Sequence, residues 1–290
     1  MRFEKWQALG NDYLILEREQ LPFELTPARI QRLCAGHFGV FADGVLELSR
    51  SPDPAYVAEL RIYNPDGSEA ELSGNGAREA ILYLRHRGWT EQDAFAIHTA
   101  AGPIRPVITG PRTCRVDMGR ASLSSGDFPG GPPDGQGGVM SGDRLWAFRH
   151  VSIGNPQCAI FVTDLQELMA LDLPAIGPAI ESDGQFPNRT NVSWYTELEP
   201  GHAGAIRARI FERGVGETLS SGTGATGAAV AHAQQYTGAS RPARVTVTLD
   251  GGELEVEVGE NLDVTLTGWA VPVFAGELSD DFLKELHETE

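Results

Sequence analysis

Two segments of the chain carry the same chemistry-bearing residues at the same spacing. Arg61-Ile-Tyr-Asn-Pro-Asp-Gly-Ser-Glu-Ala-Glu-Leu-Ser-Gly-Asn-Gly-Ala77 aligns without a gap on Arg209-Ile-Phe-Glu-Arg-Gly-Val-Gly-Glu-Thr-Leu-Ser-Ser-Gly-Thr-Gly-Ala225, at an offset of 148 residues. Each copy ends in Ser-Gly-x-Gly-Ala, which places the hydroxyls of Ser73 and Ser221 immediately before a run of small residues. Serine is a favoured helix N-cap, and the glycines let the backbone approach a ligand closely. The first amides of such a helix and its positive end attract an anion. A serine hydroxyl moves a proton only with help, because a useful acid or base has a pKa near the working pH.

The elements that must position these groups follow from the flanking pattern. Leu60–Tyr63 and Ile206–Phe211 read as strands, each followed by a helix, Ala77 to about Arg85 and Ala225 to about Gln235. A second echo, Gly10-Asn11-Asp12 against Gly154-Asn155-Pro156, recurs at an offset of 144. The chain therefore reads as two similar domains facing one another, with the boundary near Cys114 and Arg115. Arg244–Leu249, Glu253–Val258 and Asp263–Thr267 alternate as strands, with Gly251-Gly252 as a hairpin turn between the first two. Ser124 to Asp143, loaded with Gly, Pro and Ser, reads as a long exposed loop.

Composition narrows the function classes. With 40 acidic against 23 basic residues and a net charge of −17, the chain has no basic footprint for nucleic acid. The N-terminus has no signal-peptide pattern, and no apolar run approaches the ~18 residues of a membrane span. Cys34, Cys114 and Cys158 are too scattered for a zinc site or a disulfide framework and suit a reducing cytoplasm.

Gly10-Asn-Asp12, Ala42-Asp-Gly44, Asn64-x-Asp-Gly-Ser-Glu-Ala-Glu71, Gly74-Asn-Gly-Ala-Arg78, Gly154-Asn-Pro156, Arg189-Thr-Asn-Val192, Glu212-Arg-Gly-Val-Gly-Glu-Thr-Leu219 and Gly222-Thr-Gly-Ala225 together resemble the signature of diaminopimelate epimerases. The tail Leu266–Glu277 resembles the family's closing strand, so the likeness covers nearly the whole chain in order. It implies an α/β (α+β) fold of two pseudo-symmetric domains, each a sheet wrapped around a central helix, with the site in the cleft between them. The expected domains are 1–114, completed by about 266–290, and 115–265. The activity implied is a cofactor-free epimerisation of lysine biosynthesis, in which one group removes an α-proton and another reprotonates the opposite face, without pyridoxal phosphate or metal. A homodimer is also implied.

Carried over by resemblance, Ser73, Ser221 and Glu212 are catalytic. Asn11, Asn64, Asn155, Asn191 and Arg213 hold the amino-acid substrate, and Gly74, Asn75, Gly222 and Thr223 contact its α-carboxylate. The chain departs from the pattern where it matters most: the family's two catalytic cysteines fall at Ser73 and Ser221. Gln157 replaces the usual histidine, and Glu79 stands where another cysteine is common, which points to natural divergence. A thiol titrates near ~8.5, and lower at a helix N-terminus, whereas an alkoxide is far harder to form. Three readings follow: an epimerase working through serine, a thiol-independent proton-shift isomerase using Glu212, and a non-catalytic amino-acid-binding relative. Taken singly, the same residues also fit plain structural roles, Asn11 and Asn64 as turn formers and Glu212 with Arg213 as a surface ion pair.

Overall fold

The computed structural model describes residues 1–70, 73–199, 201, 204–235 and 243–289. The chain divides into two compact units, Met1–Val116 with Gly268–Glu290, and Asp117–Thr267. Among the described residues no helix is long and apolar enough to cross a membrane.

In the first unit a sheet runs in the order Val271–Glu277, Arg2–Ala8, Asn11–Glu17, Val45–Arg50, Ala58–Tyr63, Ile97–Thr99 and Gly102–Ile104, with Glu69–Ala70 set against Ala58–Tyr63. Helix α1 (Pro27–Cys34) links the parallel pair Asn11–Glu17 and Val45–Arg50. Thr26 caps α1 by accepting from the Arg29 amide, and Pro27 opens it, where a missing N–H costs nothing. Helix α2 (Gly74–His86) links the parallel pair Ala58–Tyr63 and Ile97–Thr99. Residues Asn75 to Leu84 of α2 are all buried, so the sheet wraps this helix.

The second unit repeats the plan. The first seven strands of its sheet are Gln136–Ser141, Arg144–Ser152, Pro156–Phe161, Asn191–Glu197, Ala205–Glu212, Ala243–Leu249 and Gly252–Val258, with Gly216–Thr218 against Ala205–Glu212. Helices α3 (Leu165–Ala170) and α4 (Leu173–Glu181), capped by Asp164 and Asp172, occupy the place of α1. Helix α5 (Gly222–Gln235) occupies that of α2; a short α6 (Asp280–Glu288) closes the chain in the first unit. Eleven residues of α5 are buried, eight of them Gly or Ala, as suits a helix surrounded by its own sheet.

The duplication extends to strand register. Ile62 pairs with Ala70 and Tyr63 with Glu69; 148 residues later, Ile210 pairs with Thr218 and Phe211 with Glu217. Arg61 grips Glu69 at 2.7–2.9 Å, and Arg209 grips Glu217 at 2.6–2.9 Å.

Two local readings of the sequence are corrected. Ser124 to Asp143 is not all exposed loop: Gln136–Ser141 is a strand antiparallel to Arg144–Ser152, and Phe128 and Val139 are buried. The glycines misled because Gly137 serves packing here; a Cβ on it would lie 2.4 Å from the Phe148 ring. The helices also begin earlier than Ala77 and Ala225, at Gly74 and Gly222, so the glycines form the first turn. Glu71, the last residue of the Asn64–Glu71 motif, lies outside the described residues.

Candidate active site

Each unit presents its serine in the same way. Ser73 caps α2, its Oγ accepting the Gly76 amide at 3.1 Å, while the Ala77 amide donates to its carbonyl at 2.8 Å. Ser221 caps α5, its Oγ accepting the Gly224 amide at 3.2 Å and its carbonyl the Ala225 amide at 2.9 Å. Capping in this form occupies the third and fourth amides, so an anion at the start of α5 meets the amides of Gly222 and Thr223. Gly222 is buried and Thr223 half-buried; Gly74 is half-buried at the matching place on α2.

Around the matching caps the chemistry differs. Ser221 is buried and donates its hydroxyl proton to Glu212 Oε2 at 2.9 Å; the other oxygen of that carboxylate accepts from Thr218 Oγ1 at 2.9 Å. Burial pushes the Glu212 carboxyl above the usual range, and the Thr218 and Ser221 hydrogen bonds pull it part of the way back. Glu212 does not pair with Arg213, whose Nη1 donates to the Asn188 carbonyl at 2.8 Å. On the first unit Ser73 is half-buried and accepts from Tyr13 Oη at 3.2 Å. The position of Glu212 is held there by Asn64, 148 residues earlier, whose amide donates to Ser68 Oγ at 3.0 Å.

The asparagines fall into distinct settings. Asn11 follows the tight turn of Leu9 and Gly10, both at positive φ, and donates to Asp43 Oδ2 at 2.8 Å. Asp43 also takes the Asp12 amide at 3.1 Å, which ties the Gly10-Asn-Asp12 and Ala42-Asp-Gly44 motifs together. Asn155 donates to Thr223 Oγ1 at 3.3 Å and accepts from Gln157 at 2.7 Å, so it borders the start of α5. Asn75, in the first turn of α2, accepts from the wholly buried Arg78. Asn191 is buried, and both ends of its amide are used: Nδ2 donates to the Pro156 carbonyl at 3.3 Å, and Oδ1 accepts the Arg213 amide at 3.0 Å. Its part in this structure is to hold the Arg213 turn.

Comparison with known proteins matches this duplicated frame. The family model described as diaminopimelate epimerase covers residues 3–124 and 149–272. The chain belongs to the diaminopimelate epimerase family. A diaminopimelate epimerase of Pelotomaculum thermopropionicum is 40% identical over 287 residues, covering 96% of this chain and 98% of the relative. One from a Synechococcus strain is 38% identical over 288 residues, covering 97% and 99%. Among solved structures, a phenazine biosynthesis protein of the PhzF family from Bacillus anthracis superposes with a TM-score of 0.69 at 18% identity, covering 96% of this chain and 99% of that one. A hydroxyproline epimerase from Agrobacterium vitis does so at 0.65 and 16% identity, covering 97% and 93%. These two likenesses concern the fold.

Three residues of this diaminopimelate epimerase family member were not singled out from its sequence and join the site through folding. Tyr13 reaches Ser73, and Thr218 reaches Glu212. Glu181, 4% exposed at the end of α4, accepts the Gly214 amide at 2.6 Å and pairs with Arg189 at 2.5 Å. It thereby holds the turn that carries Arg213. The one available signal was Thr218, which stands in the repeat beside Glu217.

Proposed function

We propose that this protein interconverts LL- and meso-diaminopimelate by cofactor-free transfer of the α-proton. Ser221 with Glu212 is assigned as one proton-bearing group and Ser73 as the other. The observation that carries the reading is the repeated serine cap in a chain of this family: racemisation needs one proton-bearing group for each face, and a duplicated domain supplies two. Arg213, Asn11, Asn64, Asn155 and the Asn191-held turn are assigned to the amino-acid substrate and its second polar end. The first amides of α2 and α5, with Asn75 and Thr223, are assigned to its α-carboxylate. Helix N-termini favour the negative charge that grows there on deprotonation.

Serine in place of cysteine is the obstacle, because each pK unit of mismatch costs about 1.4 kcal/mol. Glu212 answers it on one side. A carboxylate at 2.9 Å can take the Ser221 proton as Ser221 takes the substrate's, so no free alkoxide need accumulate. The three cysteines are unpaired and buried, which accords with a cytoplasmic enzyme. A homodimer is part of the same proposal and is read by light scattering.

The test is NMR-detected exchange of the α-proton in D₂O with LL- and meso-diaminopimelate. Exchange above the uncatalysed rate, with inversion lost in Ser73→Ala and in Ser221→Ala, is the expected result. Saturable binding of both isomers without exchange would instead assign the protein to ligand binding. Exchange that survives Ser221→Ala but not Glu212→Gln would make Glu212 the direct base.

A further inference from the structure

The two serines are wired with opposite polarity. A hydroxyl has one proton to give and two lone pairs to accept with. Ser73 Oγ accepts twice, from Tyr13 Oη at 3.2 Å and from the Gly76 amide at 3.1 Å. Its own proton is then what it has to offer a substrate. Ser221 Oγ accepts once, from the Gly224 amide, and gives its proton to Glu212. What it has left is a lone pair.

The asymmetry comes from a difference between the two copies. Tyr13 stands on the strand Asn11–Glu17 and is 6% exposed. Its ring lies against Gly44, where a Cβ would fall 2.6 Å from Tyr13 Cε1, so the ring is packed on that side. The matching position 144 residues on is Gln157, which donates to Asn155 and lies against Gly227, 2.7 Å from where a Cβ would be. The second copy thus has no phenol at the position of Tyr13, and the first has no carboxylate at the position of Glu212.

We propose that Tyr13 is a positioning residue that makes Ser73 the proton donor of the resting enzyme, with Ser221 and Glu212 as the acceptor. The inference rests on the epimerase reading above. In the step, the Cα–H bond breaks and its proton passes to Ser221 Oγ as the Ser221 proton passes to the Glu212 carboxylate. Cα takes the Ser73 proton on its other face, Ser73 takes the Tyr13 proton, and water reprotonates the phenolate while Glu212 returns its proton to water. The resting enzyme therefore acts first on the epimer whose α-proton faces Ser221.

The experiment follows each diaminopimelate epimer separately in D₂O, reading deuterium at the α-carbon by NMR and inversion by chiral chromatography. In Tyr13→Phe inversion should fall by about ten- to a hundredfold, while one epimer alone continues to gain deuterium without inverting. Ser73→Ala should give the same split, and Glu212→Gln should abolish exchange of that same epimer. An equal loss of exchange and inversion for both epimers in Tyr13→Phe, or no loss, overturns the proposal. So does Glu212→Gln sparing that epimer's exchange, a result independent of how well Tyr13→Phe folds. If the unaltered protein exchanges neither epimer, the epimerase reading itself fails and this one with it.

Discussion

Ser221 and Glu212 stand nine residues apart in the chain and 2.9 Å apart in space, the hydroxyl donating to the carboxylate. The contact exists because Ala205–Glu212 and Gly216–Thr218 fold back as an antiparallel pair, which returns the chain to the start of α5 beside Glu212. In Glu212→Gln the side chain keeps its size and still accepts from a hydroxyl, but it cannot take a proton. We expect kcat to fall by about 10²- to 10⁴-fold, the usual weight of a positioned base, with KM and the melting temperature little changed. Steady-state kinetics beside a thermal melt check both halves.

The same carboxyl sets a pH dependence. Burial raises the Glu212 pKa above the ordinary glutamate value, and in the proposed role the base is its ionised form. Activity is therefore lost as pH falls through the raised pKa, so the acid limb of kcat/KM should lie above the range of an ordinary carboxylate, about 4.3. In the residual activity of Glu212→Gln that limb should be gone. A limb unchanged in Glu212→Gln would assign it to another group.

Replacing the serines by cysteine should raise activity and create the only reactive thiols. Burial pushes the Cys34 and Cys114 thiols up to about 12, and that of Cys158 well above its ordinary value. At neutral pH iodoacetamide should leave the folded parent unlabelled. Ser73→Cys and Ser221→Cys should each take up one equivalent by mass spectrometry, since a thiol at a helix N-terminus ionises more readily. The double variant should epimerise diaminopimelate faster than the parent.

Glu181 should act on substrate affinity. Its carboxylate holds the Gly214 amide at 2.6 Å and Arg189 at 2.5 Å, and between them runs the chain that bears Arg213. Glu181→Gln weakens both contacts without touching either serine. A loss of about 1–2 kcal/mol in binding, roughly five- to thirtyfold in KM, is expected with kcat nearly constant. A fall in kcat at constant KM would place Glu181 in the chemistry instead.

Glu79 should make stability fall as pH rises. It is wholly buried on α2, and burial, set against the nearby Arg78, drives its pKa well above the ordinary value. Below the unfolded-state pKa both states hold the proton and pH has no leverage. Above it the unfolded chain loses the proton while the folded chain keeps it, so rising pH favours unfolding. Glu79→Gln should remove this slope: its melting temperature should match the parent's in acid and exceed it increasingly from about pH 4.5 upward. Parallel melts across pH, with equal slopes for both proteins, would refute the assignment.

Much of the site was legible in the residues. The 148-residue repeat, with its serine caps, needs only local rules: strand, turn and helix N-terminus are encoded within each seventeen-residue copy, and even the strand register repeats. Glycines were harder to read, because one residue type serves turns, close approach and strand packing alike. Gly137 reads as loop by its type, yet it is the gap that the Phe148 ring fills.

The sequence by itself determined that this protein is two copies of one plan, each ending in a serine at the head of a buried helix. What its departures from symmetry bring together came from the tertiary structure. Tyr13 meets Ser73 across 60 residues of chain, Glu181 meets Gly214 across 33, and the Asn191 amide turns inward to the backbone of Pro156 and Arg213. No periodicity records such contacts, since they arise where separately encoded strands come to lie side by side. The first of these contacts is the one on which the proposed donor role of Ser73 rests.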